Sequence, residues 1–199
     1  METIDSIVDF WFGIDPDDEA AAKKQSQMWW QKQPETDTLI RQRFMVYTQE
    51  ASTGILEPWS RSARGLLALI LLTDQFPRNM YRDTPQAFAF DELARGWCKQ
   101  GMAAGLDLEL PPIQRAFFYL PLEHSELLED QRLSVQQFEK LAALDSTSNG
   151  QTFTGYAGFA RRHYVIIERF GRFPHRNRIL DRRSTAEETA FLQEKGSSF

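Results

Sequence analysis

Arginine and asparagine recur together just past a proline at two places in the chain. One is Asp74-Gln75-Phe76-Pro77-Arg78-Asn79, and the other is Phe170-Gly171-Arg172-Phe173-Pro174-His175-Arg176-Asn177. Each follows an apolar helical run. A guanidinium presents its donors as a planar fork that matches a carboxylate or a phosphate. A repeated Arg-Asn pair behind a proline therefore reads in two ways. As an anion grip, the set is Arg78, Asn79, Arg115, Arg172, Arg176 and Asn177. As a set of helix-end locks, the arginines bond free terminal carbonyls and the asparagines take left-handed caps. Asp74, Glu123 and Glu126 then supply the partners that buried arginines need. Both readings stay open at this point.

The acid-base candidates are Glu123, His124, Glu126, His163 and His175, which include all three histidines of the chain. On a helix Glu123 and Glu126 project to nearly the same side, whereas His124 points about 100° from Glu123. Glu126, His163 and His175 form the kind of set, two histidines and a carboxylate, that suits zinc or iron. No His-Glu-x-x-His or Cys-x-x-Cys spacing accompanies them, so neither a metal nor a cofactor is expected. His163 has Ile166, Ile167 and Phe170 on its helical face, which also fits a hydrogen-bonded core histidine. Cys98, the only cysteine, sits beside Trp97 in a helical pattern and reads as a buried thiol. Trp29 and Trp30 are adjacent, and on a helix both cannot face one core, which leaves one to cover a groove or a partner.

The elements that must position these residues are helices. Ile4, Ile7, Val8 and Trp11 have helical spacing and Gly13 follows as a stop. Asp15-Pro16 starts a second helix that reaches about Gln31, and a third covers roughly Thr36 to Thr53. A fourth runs from about Arg61 to Gln75 and is expected to stop by Phe76, before Pro77. Pro85 opens a fifth that ends near Gly101 to Gly105. Pro111-Pro112 opens a sixth that reaches Ser125, with Pro121 expected to kink or split it. Further helices span roughly Asp130 to Leu144 and Tyr156 to Phe170, separated by a polar loop, Asp145 to Thr152. Ser184-Thr185-Ala186-Glu187-Glu188 is a capping-box start for the last. No convincing strand pattern and no domain boundary appear. The expected fold is all-α, one domain over residues 1–199, built as an irregular array of antiparallel helix pairs.

Composition narrows the function classes. The chain has 199 residues and a net charge of -5. Residues 1–60 carry eleven acids against five bases, while residues 161–183 carry eight arginines against two acids and no lysine. Overall acidity argues against general nucleic-acid binding. No apolar run approaches the ~18 residues of a membrane span, and the N-terminus lacks the basic start of a secretory signal, so a cytoplasmic protein without membrane or nucleic-acid partners is expected.

Three strings, DQFPRNMYRDTPQAFAFD (Asp74 to Asp91), FFYLPLEHSE (Phe117 to Glu126) and FGRFPHRN (Phe170 to Asn177), resemble an uncharacterised bacterial domain-of-unknown-function family with a tetratricopeptide-like helical fold. The resemblance spans nearly the whole chain, from Ile4 to Phe199. It implies the helical fold and implies no reaction. Asp181 departs from it, since glycine is expected after Ile179-Leu180, and a different turn is expected there. Three functions follow from the residues: binding of an anionic small molecule or a peptide carboxylate in an arginine-rich concave pocket, hydrolase-type Glu/His acid-base chemistry, and a structural or oligomerising module. The sequence sets no oligomeric state.

Overall fold

The computed structural model describes residues 1–144 and 151–198, and no strand occurs among them. Most of the polar loop expected from Asp145 to Thr152 lies outside the described residues. The α-helices are α1 (Ile4–Phe12), α2 (Asp18–Trp30), α3 (Pro34–Ser52), α4 (Ala63–Ile70), α5 (Phe76–Met80), α6 (Asp91–Ala104), α7 (Pro112–Glu123), α8 (Leu128–Ala142), α9 (Thr152–Phe170) and α10 (Ala186–Phe191). Short 3-10 turns lie at Pro85–Phe88, beyond the first Arg-Asn motif, and at Pro174–Arg176, within the second. Local chemistry sets the ends. Thr3 and Thr185 form capping boxes with Ser6 and Glu188, and Asp17 rather than Asp15 caps α2, each meeting amides that the first turn leaves open. Gly171, at φ +67°, closes α9 in a conformation that costs glycine little.

The core runs continuously from α1 to α9. Trp11 packs edge-on against Phe76 and Phe117, at 5.5 and 5.8 Å between ring centres, and Phe44 stacks on Phe76. Helix α6 lies so close to its neighbours that a Cβ on Gly101 would sit 2.5 Å from Phe118 Cζ and 2.9 Å from Leu66 Cδ1. A side chain there would force Phe118 and Leu66 to shift. Cys98 is buried in this core, and burial pushes its thiol pKa well up, which keeps it protonated. A smaller cluster gathers Ile166, Ile167 and Phe173. No helix among the described residues is long and apolar enough to cross a membrane.

Prolines depart from the sequence expectation in an instructive way. The fourth helix does not stop before Pro77. It passes through a π-helical turn, Leu71–Gln75, straight into α5, with the Phe76 N–H donating to the Leu71 carbonyl. In α register Pro77 would leave the Thr73 carbonyl without a donor and press its ring against it. A turn closed over five residues takes that carbonyl out of α register, so the chain stays helical through the proline. Pro121 likewise does not split its helix, since α7 continues to Glu123. The helix ends two residues later, so the disturbance falls within its last turn. The expected fifth helix divides into the Pro85–Phe88 turn and α6, and the sixth stops at Glu123 rather than Ser125. Asp181 adopts φ +52°, the left-handed region that glycine favours, and the turn it makes sends Arg182 back toward Glu126.

Candidate functional site

The π turn exists where the chemistry gathers. Its fourth residue, Asp74, is wholly buried with 0% exposure. Its carboxylate accepts a hydrogen bond from Gln75 Nε2 and another from His124 Nδ1 at 2.8 Å, and Arg78 Nη1 lies 3.2 Å away. Burial pushes the Asp74 carboxyl up, but the Arg78 charge and the His124 contact outweigh it and hold it below the usual carboxylate range. An ionised carboxylate only accepts, so Nδ1 of His124 carries the proton and Nε2 keeps its lone pair. Burial and the neighbouring Arg78 push the His124 pKa down, so the ring is neutral at neutral pH.

The two Arg-Asn motifs converge. Arg78 donates both Nη atoms to Asp91, at 2.9 and 3.0 Å, and also bonds the Asp74 carbonyl at 2.8 Å. Arg176 Nη1 lies 3.5 Å from the same Asp91 carboxylate. Both guanidiniums lie over the Phe88 ring, 5.7 and 4.8 Å from its centre. Arg176 is only 6% exposed, and its Nε has no hydrogen-bond partner among the described residues. Burial and the like charge of Arg78 depress its pKa to about 10.

These groups open onto a cavity of about 760 Å³. Of the residues singled out in the sequence, Arg78, Asn79, Glu123, His124, His163, His175 and Arg176 line it. Glu123 is buried, and burial together with the Asp74 charge pushes its pKa up to about 8, so it holds its proton at neutral pH. His163 donates from Nδ1 to the Phe159 carbonyl at 2.9 Å, with Glu123 Oε1 at 3.3 Å, and burial takes its pKa down to about 3. Burial and Arg176 take His175 down to about 4. Asn79 donates to Asp37, which also pairs with Arg82.

The remaining candidates lie elsewhere, and each has a partner. Because α7 stops at Glu123, Glu126 is not one turn above it on a helix. Glu126 instead pairs with Arg182 through both oxygens, at 2.7 and 3.0 Å, and accepts the Phe173 N–H. Arg172 forks onto Glu188, Asn177 bridges Glu188 and Arg182, and Arg115 reaches the Tyr119 hydroxyl, which donates to Asp107. No group of three His, Cys, Asp or Glu side chains that could hold a metal ion occurs among the described residues. Sequence reasoning missed Asp91, which joins the two motifs, and the Phe88 platform. Both sit inside the first specific string, so the string itself was the available signal. It also left open which tryptophan covers a groove: Trp29 is buried, and Trp30 lines the cavity with 51% of its surface exposed.

Comparison with known proteins adds a family and a neighbour. The family model described as "Bacterial protein of unknown function (DUF924)" matches residues 7–196. The chain is similar to a solved protein of unknown function, ATU0120, from Agrobacterium tumefaciens, at 35% identity over 96% of each chain and with a TM-score of 0.78. No curated protein matches.

Proposed function

The chain belongs to the DUF924 family of bacterial proteins of unknown function, and for it we propose that the cavity binds a small anionic molecule, a carboxylate or phosphate, through Arg176. The observation that carries this reading is the incomplete pairing of that arginine. Its three cationic neighbours on the cavity wall have carboxylate partners within hydrogen-bond distance: Arg78 has Asp91, Arg82 has Asp37, and Lys32 has Asp83. Arg176 has only a shared carboxylate at 3.5 Å and an idle Nε. A buried donor without an acceptor costs free energy, and an incoming anion supplies the acceptor. The reading takes the chain as one domain. It also takes α7, α8 and α9, which pack in succession, as tetratricopeptide-like pairs with the cavity on their concave side, as helical repeats commonly present ligands. A cytoplasmic location fits the same reading.

Arg176→Met keeps most of the unbranched apolar stem of the side chain and removes the guanidinium and its charge. It is expected to leave the Tm of the unliganded protein unchanged or raised, because a poorly compensated buried charge disappears. It is expected to abolish the Tm increase that millimolar phosphate or citrate gives the native protein. A native protein whose Tm no carboxylate or phosphate raises would overturn the reading.

A second reading, an acid-base enzyme, is favoured by one observation. Asp74 fixes the His124 tautomer from behind, as a buried carboxylate does for a general base, while Glu123 beside it stays protonated as an acid. Nitrogen-15 NMR at pH 7 is expected to show His124 neutral with its proton on Nδ1. A proton on Nε2 would exclude His124 Nε2 as a base.

A further inference from the structure

We infer that the anion taken by this cavity is a planar aromatic acid whose ring stacks on Trp30, an inference that rests on the anion-binding reading above. The polar groups occupy only part of the wall. Alongside a few aliphatic residues such as Leu120 and Ile179, much of the rest is aromatic, including Trp29, Trp30, Phe117, Tyr156 and Phe159. Within it the rings already form the beginning of a stack. Trp30 lies nearly parallel to Phe117, at 19° and 5.5 Å between centres, and the edge of Tyr156 closes one side at 5.7 Å. Trp29 is anchored, with its indole N–H donating to the Trp11 carbonyl at 2.9 Å. Trp30 is the most exposed member of this group, although its neighbour Trp29 on the same helix is core.

A large ring that is held against one aromatic face, lines the cavity and stays half exposed is a platform for another ring. Offset stacking adds to the free energy of burying its area. Aliphatic tails bury area too, but gain nothing from the parallel face. The cations place the negative group. Lys32, two residues after Trp30, and Arg82 line the same cavity, and Arg176 supplies the unmet donor. At about 760 Å³ the cavity is within the usual range for a small-molecule site and has room for two fused rings with a carboxylate.

Isothermal titration calorimetry with 2-naphthoate, octanoate and inorganic phosphate tests this on the native chain, on Trp30→Leu and on Arg176→Met. Native protein is expected to bind 2-naphthoate about tenfold more tightly than octanoate. Trp30→Leu is expected to remove that preference while leaving phosphate binding unchanged, and Arg176→Met to lose all three ligands. Trp30 is half exposed, so its replacement is expected to leave the Tm close to native, and this is checked in parallel. Equal affinity for the two acids, or a preference that survives Trp30→Leu, overturns the aromatic assignment and leaves the anion pocket standing. Phosphate binding without binding of either acid does the same. No binding of any of the three overturns both.

Discussion

Asp74→Ala is expected to lower the Tm by roughly 10 °C. Asp74 has no contact with solvent and holds Arg78, His124 and Gln75 together. Removing one member of a buried ionic set leaves the others desolvated and unpaired, at a cost of about 3–5 kcal/mol. Arg78 keeps Asp91, which limits the loss to this range. An exposed pair provides the contrast. Arg161 and Glu139 are 61% and 45% exposed, and Arg161→Ala is expected to change stability by less than ~1 kcal/mol. Thermal melts of both variants at pH 7 decide the point. A Tm for Asp74→Ala within about 2 °C of native would mean that the carboxylate is not structurally required.

The second large effect is a pH dependence set by Glu123. Its folded pKa of about 8 lies above the ordinary value of 4.5, so the folded protein holds this proton more tightly than the unfolded chain does. The stability this confers is complete below about pH 4.5 and declines as the pH rises through 8. Glu123→Gln keeps a neutral group of similar shape. It is expected to match the native protein near pH 4 and to exceed its stability by a few kcal/mol at pH 9. Titrating groups distant from Glu123 are common to both proteins and cancel in the difference. Urea midpoints from pH 4 to 9 measure it. A constant difference across that range would show that Glu123 titrates as an ordinary carboxyl.

Much of the helical frame was legible in the sequence because caps and periodicity are local. Thr185 with Glu188 and the apolar spacing of Ile4 to Trp11 depend on residues three and four apart, and the structure keeps both. The proline at Pro77 misled because its usual effect, ending a helix, has a rarer alternative. The π turn accompanies packing of Phe76 on Trp11 and Phe44, which lie far away in sequence. The site was half legible for the same reason. The motif repeat pointed to Arg78 and Arg176 as partners, and they do meet, but through Asp91 and Phe88. Arg172, so near Arg176, turns away because Gly171 ends α9 and Glu188 waits at the start of α10. Nothing in spacing alone separates these two arginines.

The π turn also makes the site a matter of phase. A residue in an α-helix adds about 100° of rotation and 1.5 Å of advance. The extra residue accommodated between Leu71 and Gln75 therefore sets the angle at which α5 leaves α4. Every side chain beyond it inherits that angle, including Arg78 facing Asp91 and Asn79 facing Asp37. Loss of one residue from this turn would alter none of the cavity's other residue types, yet it would swing both side chains about a quarter-turn from their partners. The length of this stretch is therefore as constrained as its buried Asp74, and the count of residues between Ile70 and Phe76 carries information about the site alongside the residues themselves.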